Sequence, residues 1–130
     1  MRNPSWKTAG ATFLDRDDRV ENLRAAVRRA SMRVPSIRRA VLFGSLARGI
    51  PTPRSDADLM IEVASSPYPE PRDRIPEMLR ALSPLPCPVD LFVLTSEEAA
   101  VHAKANTPLL REVLAHGIDL LEASAFRQES

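Results

Sequence analysis

The order of apolar runs along this chain predicts an α+β (or α/β) domain, a small sheet covered by helices. Three short runs rich in branched side chains, Ala40–Phe43, Ser55–Val63 and Pro88–Leu94, are bounded by Gly, Pro or Ser and read as strands. Around them, apolar residues recur every three or four positions, the period of a helix with one buried face. A chain of 130 residues is the size of one domain and buries roughly two-thirds of the surface its unfolded form exposes. No internal repeat is visible, so the expected organisation is an irregular N-terminal arm over 1–17 and a single domain over 18–130.

The arm mixes Pro4, Gly10 and polar residues, with Trp6 and Phe13 as its docking side chains. Asp17 or Asp18 is a suitable N-cap. Val20, Leu23, Val27 and Ala30 then follow a helical spacing that ends before Pro35. Ala40–Phe43 stops at Gly44-Ser45, and Leu46–Gly49 makes a brief helical turn before the proline-punctuated loop Ile50–Pro53. Ser55–Val63 is the second strand, and the proline-rich stretch Ser65–Pro71 a loop. Ile75, Met78, Leu79 and Leu82 form a second helical stripe, closed by Pro84-Leu85-Pro86. After the third strand, Thr95 or Ser96 caps a helix whose positive end suits Glu97 and Glu98. Thr107-Pro108 opens the last helix through Leu109, Leu110, Val113 and Leu114 to Gly117, and Ile118–Leu121 is a final extended segment.

The composition, 44% hydrophobic and 27% charged, is that of an ordinary globular protein rather than a fibre or a disordered tail. Apolar runs last only a few residues, whereas a bilayer span needs about 20. No membrane partner is therefore expected. The N-terminus lacks the apolar stretch of a secretory signal, which makes a cytoplasmic location the expectation. Cys87 is the only cysteine, so disulfides and C-x-x-C sites are excluded and a packing role is expected. The net charge of +1 conceals an asymmetry: residues 1–54 carry twelve Lys and Arg against four Asp and Glu, residues 55–130 six against thirteen. Such a basic half suits a triphosphate, nucleic acid or an acidic protein, and equally a solvated arginine-rich helix face. Nucleic acid is not the favoured partner.

Three acids stand beside runs that should feed the core. Asp56 and Asp58 are two apart, so on a strand they project to one side. Asp90 interrupts the apolar run Val89-Asp90-Leu91-Phe92. If the second and third strands are neighbours, the three carboxylates converge. Taken singly, Asp56 is also readable as a turn residue and Asp90 as a sheet-edge charge. Like charges a few ångströms apart repel by about 4 kcal/mol per pair at an effective dielectric near 20, so a cation is expected among them. An oxygen-only ligand set suits Mg²⁺ rather than zinc. Gly44-Ser45, directly after a strand, lets backbone approach an anion and offers a hydroxyl donor to phosphate oxygens.

The stretch Phe43-Gly44-Ser45-Leu46-Ala47-Arg48-Gly49, followed by Ser55-Asp56-Ala57-Asp58-Leu59 and Val89-Asp90-Leu91, resembles the minimal nucleotidyltransferase family of the DNA polymerase beta-like superfamily. The resemblance covers residues 40–94 and extends to the Leu109–Leu121 segment. It implies a small mixed sheet flanked by helices. It also implies transfer of a nucleoside monophosphate, AMP from ATP, onto a hydroxyl. Gly44 and Ser45 would hold the triphosphate. Asp56, Asp58 and Asp90 would be the catalytic carboxylates and would bind magnesium, two ions with nucleotide present. Arg48 is a candidate phosphate contact or a solvated turn residue.

The resemblance further implies a HEPN-type protein as partner and acceptor, with this chain as the antitoxin of the pair. Two other readings stand beside it: a non-catalytic antitoxin that neutralises its partner by binding, and an antibiotic-modifying nucleotidyltransferase. The latter usually adds a helical domain for its acceptor, and a core of this size is expected to take its acceptor from another copy or another protein. Arg111 and His116 form an R-x4-H spacing like that of HEPN ribonucleases, but on a single late helix they read as helix-end residues, and His102 as a surface residue.

Overall fold

The computed structural model describes residues 4–50 and 56–121, with side chains from Arg16 onward. The elements run α1 (Pro4–Arg33), β1 (Ile37–Phe43), α2 (Gly44–Arg48), β2 (Ala57–Val63), a 3-10 turn (Pro71–Arg74), α3 (Ile75–Leu82), β3 (Val89–Thr95), α4 (Ser96–Ala105), α5 (Pro108–His116) and β4 (Ile118–Asp119). The expected α+β architecture is the one observed. The four strands form one sheet in the order β3-β2-β1-β4, with β2·β3 parallel and the other pairs antiparallel. Among the described residues no helix is long and apolar enough to cross a membrane.

The irregular arm expected over 1–17 is corrected: α1 is already helical from Pro4. Proline is tolerated in the first turn of a helix, and between Pro4 and Asp18 there is no second proline and one glycine, Gly10, as the strongest helix-weakening residue. Asp17 and Asp18 consequently lie inside the helix instead of capping it. The docking expected of Trp6 and Phe13, the loop at Pro51–Pro53 and the start of the second strand at Ser55 lie outside the described side chains and residues. The described strand begins at Ala57.

The sheet has two unequal faces. One presents Ala57, Leu59, Ile61 and Val63 of β2 and Leu91 and Val93 of β3 to α1 and α3, where Leu23, Ala26, Val27, Ala30 and Leu82 complete the main core. The partly buried Cys87 packs against this core, and burial pushes its thiol up. The other face is thinner, with Val41, Phe43, Met60 and Leu94 covered by Ala99 of α4 and by Leu110 and Val113 of α5. Thr95 caps α4 in a reciprocal box with Glu98, and Thr107 caps α5 ahead of Pro108.

Four arginines of the basic N-terminal half serve as backbone anchors. Arg16 donates to the carbonyls of Leu46 and Ala47 at 3.0 and 2.8 Å, and Arg24 to Asp119 at 2.8 Å. Arg29 donates to Leu82 and Pro84, and Arg33 to Ala81 and Ser83. Carbonyls left over at the ends of α2 and α3 thereby gain donors. These four guanidinium groups tie α1 to the elements beneath it.

Candidate active site

Register builds the site. Phe43 of β1 pairs with Asp58 of β2, and Asp58 pairs with Asp90 of β3. In-register neighbours in a sheet share a face and lie about 4.8 Å apart at the backbone. The next row on that face is Val41, Met60 and Phe92. Asp58 and Asp90 therefore stand side by side on the thinner face, at the ends of strands whose opposite face is locked into the main core. Asp56 lies one residue ahead of β2 rather than within it, half-buried, and its charge reaches Asp58.

Asp58 is where the charges meet. Its carboxyl is pushed above the ordinary range, first by burial and then by the negative charges of Asp90, Asp56 and Glu112. Asp90 is exposed and Asp58 half-buried. Among the described residues no three His, Cys, Asp or Glu side chains are arranged as a ready-made metal cage. Mg²⁺ seldom uses such a cage; it takes one or two carboxylates together with waters and substrate phosphates. An oxygen-only pair beside an open face, with charges that repel in the absence of a cation, fits that mode of binding.

Gly44 has a positive φ of 80°, and a methyl group placed on it would collide with the Asp58 carboxylate. The glycine thus lets the backbone at the start of α2 pass against Asp58, a closer relationship than its expected role toward an anion alone. Ser45 follows, half-buried, and its carbonyl accepts from Ile50 at 2.9 Å as α2 closes. Gly49, with φ 76°, ends the turn in a left-handed conformation. Arg48 is 41% exposed, and its Nε lies 3.4 Å from Oε2 of Glu112 on α5.

Residues 20–120 match the family described as the nucleotidyltransferase domain. The chain belongs to that family. Its four-stranded mixed sheet with flanking helices is the polymerase beta-like nucleotidyltransferase fold. A candidate nucleotidyltransferase from Sulfolobus solfataricus superposes with a TM-score of 0.60 at 18% identity, over 83% of this chain and 84% of that one. A toxin–antitoxin structure with AMP-PNP aligns with a TM-score of 0.48 at 19% identity, over 75% and 71%. No curated protein matches the chain.

Two residues near the acids escape sequence reasoning. Glu112 sits in a helix segment with no strand neighbour to betray its direction. Phe92 carried a usable signal: two residues after Asp90 it must share that face, where it is 40% exposed and packs at 5.6 Å between ring centroids on Phe43. His102 is not simply at the surface, since it is half-buried with Nδ1 2.9 Å from the Thr107 hydroxyl. Arg111 and His116 are both exposed on α5; His116 lies in its last turn, as expected of a helix-end residue, whereas Arg111 sits in the N-terminal half of the helix and that expectation is corrected.

Proposed function

We propose that this domain is a Mg²⁺-dependent nucleotidyltransferase that transfers AMP from ATP to a hydroxyl of a protein partner, with Asp56, Asp58 and Asp90 as its catalytic carboxylates. The observation that carries this reading is the in-register pair Asp58 and Asp90 on the open face of the sheet, with Asp58 packed against Gly44. Asp56, Asp58 and Asp90 would hold magnesium, which supplies neutralising charge for the triphosphate and lowers the pKa of an attacking hydroxyl. The chain's own contribution is positional. Gly44 keeps the α2 backbone free of a side chain, Ser45 offers a hydroxyl donor, and Arg48 offers a guanidinium to phosphate oxygens. Asp90, at the edge of the sheet and exposed, is the carboxylate an incoming hydroxyl meets first and the one suited to accept its proton. A HEPN-type partner as acceptor, and an antitoxin role for this chain, rest on the motif resemblance at residues 43–49, 55–59 and 89–91.

Labelled ATP is titrated with Mg²⁺ and with EDTA, and AMP incorporation into a co-purified partner is followed for wild type, Asp56→Asn, Asp58→Asn and Asp90→Asn. Binding that needs Mg²⁺ and incorporation lost in all three variants are expected. Equal ATP binding in EDTA overturns the metal-dependent reading. Three variants that neutralise a partner as well as wild type favour a pure binding role.

A further inference from the structure

We infer that Glu112 is a positioning residue that holds Arg48 for the triphosphate, an inference that rests on the function proposed above. Glu112 projects from α5 toward α2, and the two helices pack together. Its Oε2 is buried, forms no hydrogen bond, and meets Arg48 only through the 3.4 Å ion pair at Nε. Its charge also bears on Asp58. A fourth carboxylate beside three acids is unfavourable for the empty site. A half-exposed ion pair contributes little stability to offset that.

The arrangement makes sense if Arg48 has work there. Ser45 and Arg48 are three residues apart on α2, so their side chains lie on the same side of the turn, with about 5–6 Å between Cβ atoms. An arginine gripped at Nε keeps both terminal Nη groups for an anion, and its fork is suited to phosphate oxygens. Among the described residues Arg48 makes no other ion pair or side-chain hydrogen bond. Glu112 therefore fixes the arm of a guanidinium at Nε and leaves its Nη groups available to an anion bound at this turn.

The sign of one measurement decides this. Removing a negative charge beside a bound triphosphate should, by Coulomb attraction alone, tighten ATP binding. Loss of a positioning contact should weaken it. ATP affinity in Mg²⁺ is measured for wild type, Glu112→Gln, Arg48→Ala and the double variant, with thermal melting of each. We expect Glu112→Gln to weaken binding about five-fold, and to cause no further loss once Arg48 is alanine, where only the Coulomb effect remains and favours ATP. Glu112→Asp, which keeps the charge on a shorter arm, should fall between wild type and Glu112→Gln, and replaces it should that variant fail to fold. Unchanged or tighter binding in Glu112→Gln overturns the inference while leaving the proposed function standing. An equal loss in wild-type and Arg48→Ala backgrounds makes Glu112 structural and also overturns it. A wild type that binds no ATP in Mg²⁺ overturns the proposed function itself.

Discussion

Two glycines with nearly the same backbone conformation, Gly44 and Gly49, separate what the backbone needs from what the site needs. Both have φ near 80° (80° and 76°), where a side chain costs about 1–2 kcal/mol. A Cβ on Gly49 would meet nothing closer than Arg16 Nε at 3.6 Å, an ordinary contact, so Gly49→Ala should lose only that backbone amount. A Cβ on Gly44 would lie 3.0 Å from Asp58 Cγ and 3.3 Å from its Cβ, besides colliding with the carboxylate oxygen. The carboxylate must turn away, and overpacking of this kind adds about 1–3 kcal/mol. At about 4 °C per kcal/mol for a domain of this size, Gly49→Ala should melt about 4–8 °C below wild type and Gly44→Ala lower still. The telling readout is ligand-linked. ATP with Mg²⁺ should raise the melting temperature of Gly49→Ala as it does that of wild type, and should raise that of Gly44→Ala little, because Asp58 is displaced. Equal destabilisation with equal ATP shifts in both variants would refute the view that Gly44 is there for Asp58.

Asp58→Asn removes the charge on which Asp90, Asp56 and Glu112 converge; without metal it should melt at or above wild type, and Mg²⁺ at matched ionic strength should shift it less than wild type. A Mg²⁺ shift identical in both proteins would take Asp58 out of the metal site. Glu98→Gln strips the buried Arg74 of its two-point partner at 2.6 and 2.9 Å and should cost about 2–3 kcal/mol by chemical denaturation, below the 3–5 typical of fully buried pairs because Glu98 is one-third exposed. The hydrogen bond from Arg74 chiefly holds the Glu98 carboxyl below its ordinary range, so this stability is complete above the unfolded pKa of about 4.3 and is lost as pH falls through the lower folded value. The wild-type advantage over Glu98→Gln should accordingly shrink under acid, and a gap constant down to low pH would contradict the pairing.

The strands were legible in the sequence because burial on the α1 side imposes a period of two, and Leu59, Ile61, Leu91 and Val93 supply it without interruption. The convergence of Asp58 and Asp90 was legible only conditionally, since alternation fixes the face of a side chain but not which strands are neighbours. Other features were not legible for identifiable reasons. The first turns of α1 lack a clean apolar stripe, so periodicity could not announce them. The arginines of α1 read as a charged face, yet Arg16, Arg24, Arg29 and Arg33 spend their charge on carbonyls distant in sequence. Arg74, 4% exposed, binds the carbonyls of Tyr68, Pro69 and Val93 as well as Glu98, and so fastens the proline loop to β3. Nothing local marks it out from Arg72 two residues earlier. Long-range donors of this kind depend on tertiary placement, which one-dimensional patterns do not encode.

The apolar core and the acidic site are one design viewed from two sides of the sheet. Because side chains alternate, a slip of β3 by one residue against β2 would turn Asp90 toward the main core and expose Leu91 and Val93. Burying an unpaired carboxylate there would cost several kcal/mol, and the lost burial of two apolar side chains about 1.5–3 kcal/mol each. The register that aligns Asp58 with Asp90 is thus enforced by residues that never touch the site, while the parallel ladder sets their spacing. On the thinner face α4 and α5 stop short of covering this row, which leaves Asp90 and the edge of Phe92 open to solvent. A repelling pair of carboxylates is tolerable at that position because water reaches Asp90 and the sheet backbone, not the side chains, bears the constraint.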